Sequence, residues 1–245
     1  MRNIKITIEY DGTKYNGWQT QKNGSGIQEM ITNAIHQVCL DVDKINGAGR
    51  TDAGVHAFGQ TANFFTDSNI PVKKMATAIN AFLPKDIVIK NAEEVNKDFH
   101  SRYSAKGKKY MYIVNNSETR SALDFYREYY FPYKVDYKKI KKAAEYFEGT
   151  HDFRGFMASG SSVKDTVRTI SKIHIKKRDD GRIIFNFVGD GFLYNMVRIL
   201  VGTLLDVGIG KINPEDIRDV ILSKDRTKAG KTAPAQGLYL VEVYY

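Results

Sequence analysis

Apolar and polar residues alternate over residues 2–10, with Ile4, Ile6, Ile8 and Tyr10 on one face, which predicts a half-buried strand. A loop rich in Gly, Asn and Gln follows over 12–26. From 27 to 40 the period changes, and Ile27, Met30, Ile31, Ala34, Ile35 and Val38 fall at helical spacing. Residues 44–48 predict a short strand, followed by a polar loop and a strand over 60–66. Pro71 opens a second helix running to residue 82, with Val72, Met75, Ala76 and Ile79 on one side. Residues 87–95 return to strand character. The first half therefore reads β-α-β-β-α-β, the order of a ferredoxin-like unit.

The second half repeats the plan less cleanly. Residues 108–114 alternate as a strand, and 135–147 form a helix with Ile140, Ala143, Ala144 and Phe147 inward. Strands over 167–177 and 183–188 flank Asp179-Asp180-Gly181, a hairpin turn signal. An apolar helix covers 192–207, Asn213-Pro214-Glu215-Asp216 starts another, and 238–245 close as a strand. The predicted class is α+β: two pseudo-symmetric ferredoxin-like halves with mainly antiparallel sheets, helices on one face, and an active-site cleft between. The predicted domains are 1–105 and 106–245. The repeat is one of element order, without clear sequence self-similarity.

Composition narrows the class. Apolar residues at 42% and charged residues at 27% are ordinary for a folded globular chain. The single cysteine, Cys39, excludes an internal disulfide and fits a reducing, cytoplasmic compartment. No His or Cys spacing matches a known metal motif. The alternating N-terminus does not predict a signal peptide. The most apolar stretch, 192–210, contains Asn195, Arg198 and Asp206, which predicts a buried helix and no membrane association. The formal net charge is +9, of which +8 falls in residues 105–245. Lys106-Lys108-Lys109, Lys138-Lys139-Lys141-Lys142 and Lys176-Lys177-Arg178 are the basic clusters. They suit a polyanion such as nucleic acid, or equally a set of solvated faces.

The densest concentration of chemistry is 47–57, where Arg50, Thr51, Asp52 and His56 are interleaved with Gly47, Gly49 and Gly54. The phosphate-loop and dinucleotide spacings are both absent. Residue types alone leave a site or a polar turn closed by Asp52. Tyr110 reads as a strand tyrosine or a stacking platform. Arg198 reads as a surface pair or, since its neighbours are apolar, as a cation that needs an anion. His56 is expected to pack or hydrogen-bond in the loop, and Trp18 to anchor a loop or contact nucleic acid.

Gly49-Arg50-Thr51-Asp52-Ala53-Gly54-Val55-His56-Ala57 resembles the signature of the tRNA pseudouridine synthase A family. Tyr10-Asp11-Gly12-Thr13, Gly17-Trp18-Gln19, Phe99-His100-Ser101-Arg102, Lys109-Tyr110-Met111-Tyr112, His151-Asp152-Phe153, Asn195-Met196-Val197-Arg198, Asp225-Arg226-Thr227 and 233–240 are similar to its other motifs, in family order. Ser101 stands where Ala is common, and Lys231 where Pro is common. The resemblance implies an isomerase that converts uridines 38, 39 and 40 of the tRNA anticodon stem-loop to pseudouridine. It implies Asp52 as the catalytic aspartate, Arg198 as its paired arginine, Tyr110 as the tyrosine stacking on the base, and Arg50 as a residue that displaces the target nucleotide. It further implies tRNA as partner, a homodimer, and neither metal nor organic cofactor.

Overall fold

The computed structural model describes residues 1–19, 25–42, 44–161 and 163–245. The part of the predicted 12–26 loop at 20–24 lies outside the described residues. The described chain is α+β and divides into two compact units, Met1–Lys106 with Tyr239–Tyr245, and Gly107–Leu238.

The first unit is built from β1 (Arg2–Tyr10), α1 (Ile27–His36), β2 (Asn46–Gly47), β3 (His56–Thr66), α2 (Val72–Asn80) and β4 (Ile87–Val95). β1 lies between β3 and β4, antiparallel to both. β2 pairs with the end of β3, through Asn46 and Gly47 opposite Asn63 and Ala62. The strand order β4-β1-β3-β2 is the ferredoxin-like order. The predicted apolar face is the buried one: Ile4, Ile6 and Ile8 are fully inaccessible, as are Ile27, Ile31 and Ile35 of α1 and Met75 and Ile79 of α2. At about 1.5–3 kcal/mol for each fully buried aliphatic side chain, this face is the main stabilising term of the unit.

Three element ends differ from the periodicity. α1 stops at His36, one turn short, because Asp41 accepts hydrogen bonds from Thr66 Oγ1 (2.8 Å) and the Asp67 amide and draws the chain off the helix axis. Leu40 is left exposed. β3 starts at His56, four residues early, because a bulge between the Ile8–Gln60 and Tyr10–Ala57 pairs takes up an extra residue at Phe58-Gly59. β2 is only two residues long.

β10 (Leu238–Tyr244) returns to the first unit. Tyr239 and Leu240 pair in parallel with His56 and Ala57, on the stretch of β3 that β2 does not cover. A Cβ on Gly59 would stand 2.4 Å from the Val241 carbonyl oxygen, so the bulge and this close strand need each other.

The second unit contains β5 (Gly107–Asn115), β6 (Tyr129–Tyr130), α3 (Tyr137–Glu145), β7 (Gly149–Asp152), β8 (Val167–Lys177), β9 (Arg182–Gly189), α4 (Met196–Gly208) and α5 (Ile217–Ser223). Its strands run β5-β9-β8-β7 in antiparallel order, with β6 parallel to the end of β5. The hairpin over Asp179-Asp180-Gly181 is present, with Gly181 at φ +83°. α4 begins at Met196 instead of 192, because Asn195 at φ 59° breaks the helical path. Pro214–Asp216 form a 3-10 turn that feeds α5. No helix among the described residues is long and apolar enough to cross a membrane.

Asp152 ties these pieces together. Its carboxylate accepts from Thr166 Oγ1 (2.5 Å) and the Arg154 amide (3.1 Å) and meets Lys224 Nζ at 2.9 Å, just past α5. Burial works against its charge, but the hydrogen bonds from Thr166, Lys224 and the Arg154 amide outweigh it and hold the carboxyl below its ordinary range. A depressed folded-state value stabilises the fold above about pH 4 and is lost as pH falls through the folded value. Asp152→Asn is therefore expected to lower stability at pH 7, with the deficit shrinking towards pH 2. Urea unfolding of both proteins across that range checks it; a constant deficit would assign the effect to something other than the charge.

Candidate active site

Asp52 sits in a loop held almost wholly by backbone. The Trp18 amide donates to the Thr51 carbonyl (3.0 Å), the Gly54 amide to the Tyr15 carbonyl (3.3 Å), and the Val55 amide closes a turn on the Asp52 carbonyl (3.1 Å). Two glycines make that closeness possible. A Cβ on Gly12 would stand 2.0 Å from the Val55 carbonyl oxygen, and one on Gly17, itself at φ +88°, 2.4 Å from that of Thr51. The side chains reinforce the frame. Tyr10 Oη and Thr51 Oγ1 share a buried 2.7 Å hydrogen bond, and Gln60 Nε2 donates to the Gly49 carbonyl (2.9 Å). Burial pushes the Tyr10 phenol well above its ordinary range, so it stays neutral.

The expected roles of Trp18 and His56 are the observed ones. Trp18 is buried, and a Cβ on Gly47 would stand 2.5 Å from its Nε1. His56 is buried, and its Nδ1 accepts from the Gly12 amide at 3.0 Å. The Asp11 carboxylate approaches the same nitrogen at 3.2 Å. The ring stacks on Tyr239 at 4.8 Å, and Phe58 stacks on Tyr239 at 5.0 Å. Asp52 is half-buried and Arg50 exposed.

The remaining two sequence-predicted residues belong to the second unit. Tyr110 lies on β5 opposite Phe187, is buried, and meets Phe192 edge-on at 5.2 Å. Tyr112, on the same face of β5, donates its hydroxyl to the Pro234 carbonyl at 2.6 Å. Arg198, on α4, grips the neighbouring residue in both directions. Its Nε donates to the Ala233 carbonyl (2.7 Å), and its own carbonyl accepts from the Ala233 amide (3.1 Å). Arg198 Nη1 donates to Asn195 Oδ1 (2.7 Å). Tyr112 and Arg198 thus hold one segment, 233–234, from two sides.

That segment is itself held by the Asp225-Arg226-Thr227 motif. Arg226 donates to the Gly230 carbonyl (2.9 Å) and to Thr232 Oγ1 (3.1 Å), while Asp225 caps Thr227. The loop packs on α4 so closely that a Cβ on Gly202 would stand 1.7 Å from the Lys231 carbonyl oxygen. Because Lys231 meets Gly202 through its carbonyl, an exposed lysine serves where proline is common. Ser101 is equally well used: Asn63 Oδ1 accepts from its amide (2.9 Å) and its hydroxyl (2.8 Å). Among the described residues, no three His, Cys, Asp or Glu side chains form a group able to hold a metal.

Residues 6–104 and 143–245 match the family described as tRNA pseudouridine synthase. The chain belongs to that family. It is 54% identical to tRNA pseudouridine synthase A of Acetivibrio thermocellus, 52% to that of Ruminiclostridium cellulolyticum and 50% to that of Caldicellulosiruptor saccharolyticus, in each case over the full length of both chains. Among solved structures it is similar to a Cbf5-Nop10-Gar1 complex, with a TM-score of 0.42 and 16% identity, covering 83% of this chain and 45% of that one. At that level the likeness adds nothing to the family assignment.

Gly17→Ala tests how far the Asp52 loop depends on backbone contact. It combines a left-handed φ with a backbone clash, and is expected to destabilise by about 2–4 kcal/mol. Gly210→Ala has a similar φ of +80° with nothing within 4 Å, and is expected to lose only about 1–2 kcal/mol. Chemical denaturation of the two variants compares them; equal losses would remove the close approach from the account.

Proposed function

We propose that the protein isomerises uridine to pseudouridine at positions 38, 39 and 40 of the tRNA anticodon stem-loop. The observation that carries this reading is the full-length match to proteins named tRNA pseudouridine synthase A. The reaction breaks the N1–C1′ glycosidic bond, turns the base, joins C5 to C1′ and releases the C5 hydrogen as a proton. No electrons enter or leave. Asp52 is the catalytic carboxylate: attack on the sugar, attack on the base, and removal of a ribose proton are each work for an anion.

In this reading Arg198 keeps Asp52 ionised. Its guanidinium favours the charged carboxylate and offsets the cost of partial burial. Tyr110 supplies an aromatic platform for the extruded uracil, worth about 1–3 kcal/mol per stacked base. A base within a stem must leave its stack to react, which costs a few kcal/mol. Arg50, exposed and two residues from Asp52, takes the place of the displaced nucleotide.

Exposed Lys138, Lys139, Lys141, Lys176 and Lys177 are the groups offered to tRNA phosphates. Lys142 and Arg178 are paired with Glu215 and Asp180 and have less to give. Binding then weakens steeply with salt. The working form is a homodimer, and the compartment is the cytoplasm, where tRNA is available and Cys39 stays reduced.

The test is tritium release from tRNA carrying [5-³H]uridine, with nucleoside digestion of the product. Wild type should release tritium and yield pseudouridine at 38–40. Asp52→Ala should abolish release while tRNA affinity stays within a few-fold, and Arg198→Met should also lose turnover. Absence of release by wild type on tRNAs with uridine at those positions would overturn the reading in favour of another RNA substrate or a binding role. Sedimentation at micromolar concentration should give about twice the 27.8 kDa chain mass; a single-chain particle would overturn the dimer.

A further inference from the structure

We propose that Asn195 is a positioning residue for the reaction: it fixes the orientation of the Arg198 guanidinium. The inference rests on the role proposed for Arg198 above.

Asn195 occupies the position before the first residue of α4, where an asparagine ordinarily has extended backbone and turns its side chain to cap the second or third helical amide. It does neither. Its backbone is left-handed, φ 59° and ψ 6°, and its side chain makes no capping hydrogen bond. The carboxamide oxygen instead accepts from Arg198 Nη1 at 2.7 Å. A cap has been exchanged for a hold on one side chain three residues away.

That hold joins a second one. Arg198 Nε is fixed by the Ala233 carbonyl and Nη1 by Asn195, so a planar ion is pinned at two of its nitrogens. Both anchors are neutral oxygens. They set direction without cancelling charge, which is what a guanidinium needs if its field is to act on a carboxylate. The Ala233 anchor is backbone and no side-chain change removes it. The Asn195 anchor is a side chain on a backbone that only asparagine, aspartate and glycine adopt readily.

This last property provides a clean variant. Asn195→Gly keeps the left-handed backbone at no steric cost and deletes only the carboxamide. The experiment is steady-state kinetics on tRNA for wild type, Asn195→Gly, Arg198→Met and the double variant, with thermal melts of each. Asn195→Gly is expected to melt near wild type, keep KM within about 2-fold and lose roughly 10–100-fold in kcat, the scale of a misplaced catalytic group. The double variant should be no slower than Arg198→Met alone, since Asn195 acts through Arg198. An unchanged kcat in Asn195→Gly, a loss confined to KM, or a further drop in the double variant would each overturn the inference. If Arg198→Met turns over like wild type, the role of Arg198 itself falls, a result separate from Arg198→Met failing while Asn195→Gly does not.

Discussion

Backbone lying directly against backbone is the constraint on which the Asp52 loop depends. Val55 and Thr51 present carbonyl oxygens where Gly12 and Gly17 have no Cβ to interfere. Contacts of that kind are stiffer than side-chain contacts, because no rotamer can relieve them. In the role proposed for Asp52, a carboxylate that meets a sugar or a base benefits from such a mount. The buried Tyr10–Thr51 hydrogen bond joins the same mount to the first strand, so the rigidity of the sheet extends to the residue beside Asp52.

The second unit solves the corresponding problem by side chain to backbone. Arg226 and Gly202 seat the 229–234 loop on α4, and that loop then presents the Ala233 carbonyl to Arg198. The two units nonetheless share a plan. In the first, β1, β3 and β2 lie side by side, with α1 between β1 and β2 and α2 after β3. In the second, β5, β9 and β8 do the same, with α3 between β5 and β8 and α4 after β9. Equal topology has been filled by unequal sequences, which is why periodicity shows the repeat and residue identity does not.

Most elements are legible because their burial is one-sided. Alternation places β1 to the residue, since one of its faces lies in the core, and the bounds of β4 and β8 also match the predicted ones. What escapes is set by contacts distant in sequence. The early start of β3 depends on a bulge at Gly59 that β10 requires, and a glycine inside a polar stretch reads as loop. β6 and β7 are too short to carry a period. The roles proposed for Asp52, Tyr110, Arg198 and Arg50 come from resemblance, because residue types leave a polar turn, a strand tyrosine and a surface arginine open. Asn195 enters the sequence reading only as part of a motif. Its one local signal was an asparagine ahead of an apolar helix, which reads as an ordinary cap. Only coordinates show the side chain turned the other way.

The return of β10 has a consequence for how the protein is made. The whole of Gly107–Leu238 is synthesised between Lys106 and the strand that pairs with His56 and Ala57. At ordinary elongation rates of ~5–20 residues per second, that interval is on the order of ten seconds. Throughout it, the N-terminal stretch of β3 has an open edge, and the aromatic faces of His56 and Phe58 wait for Tyr239. The nascent first unit therefore leaves the ribosome as an unfinished sheet, with the flank of its Asp52 loop unclosed. An open strand edge held that long invites pairing with a neighbouring chain. Insertion of one unit within another thus leaves this edge of the first unit, although translated early, to be completed last.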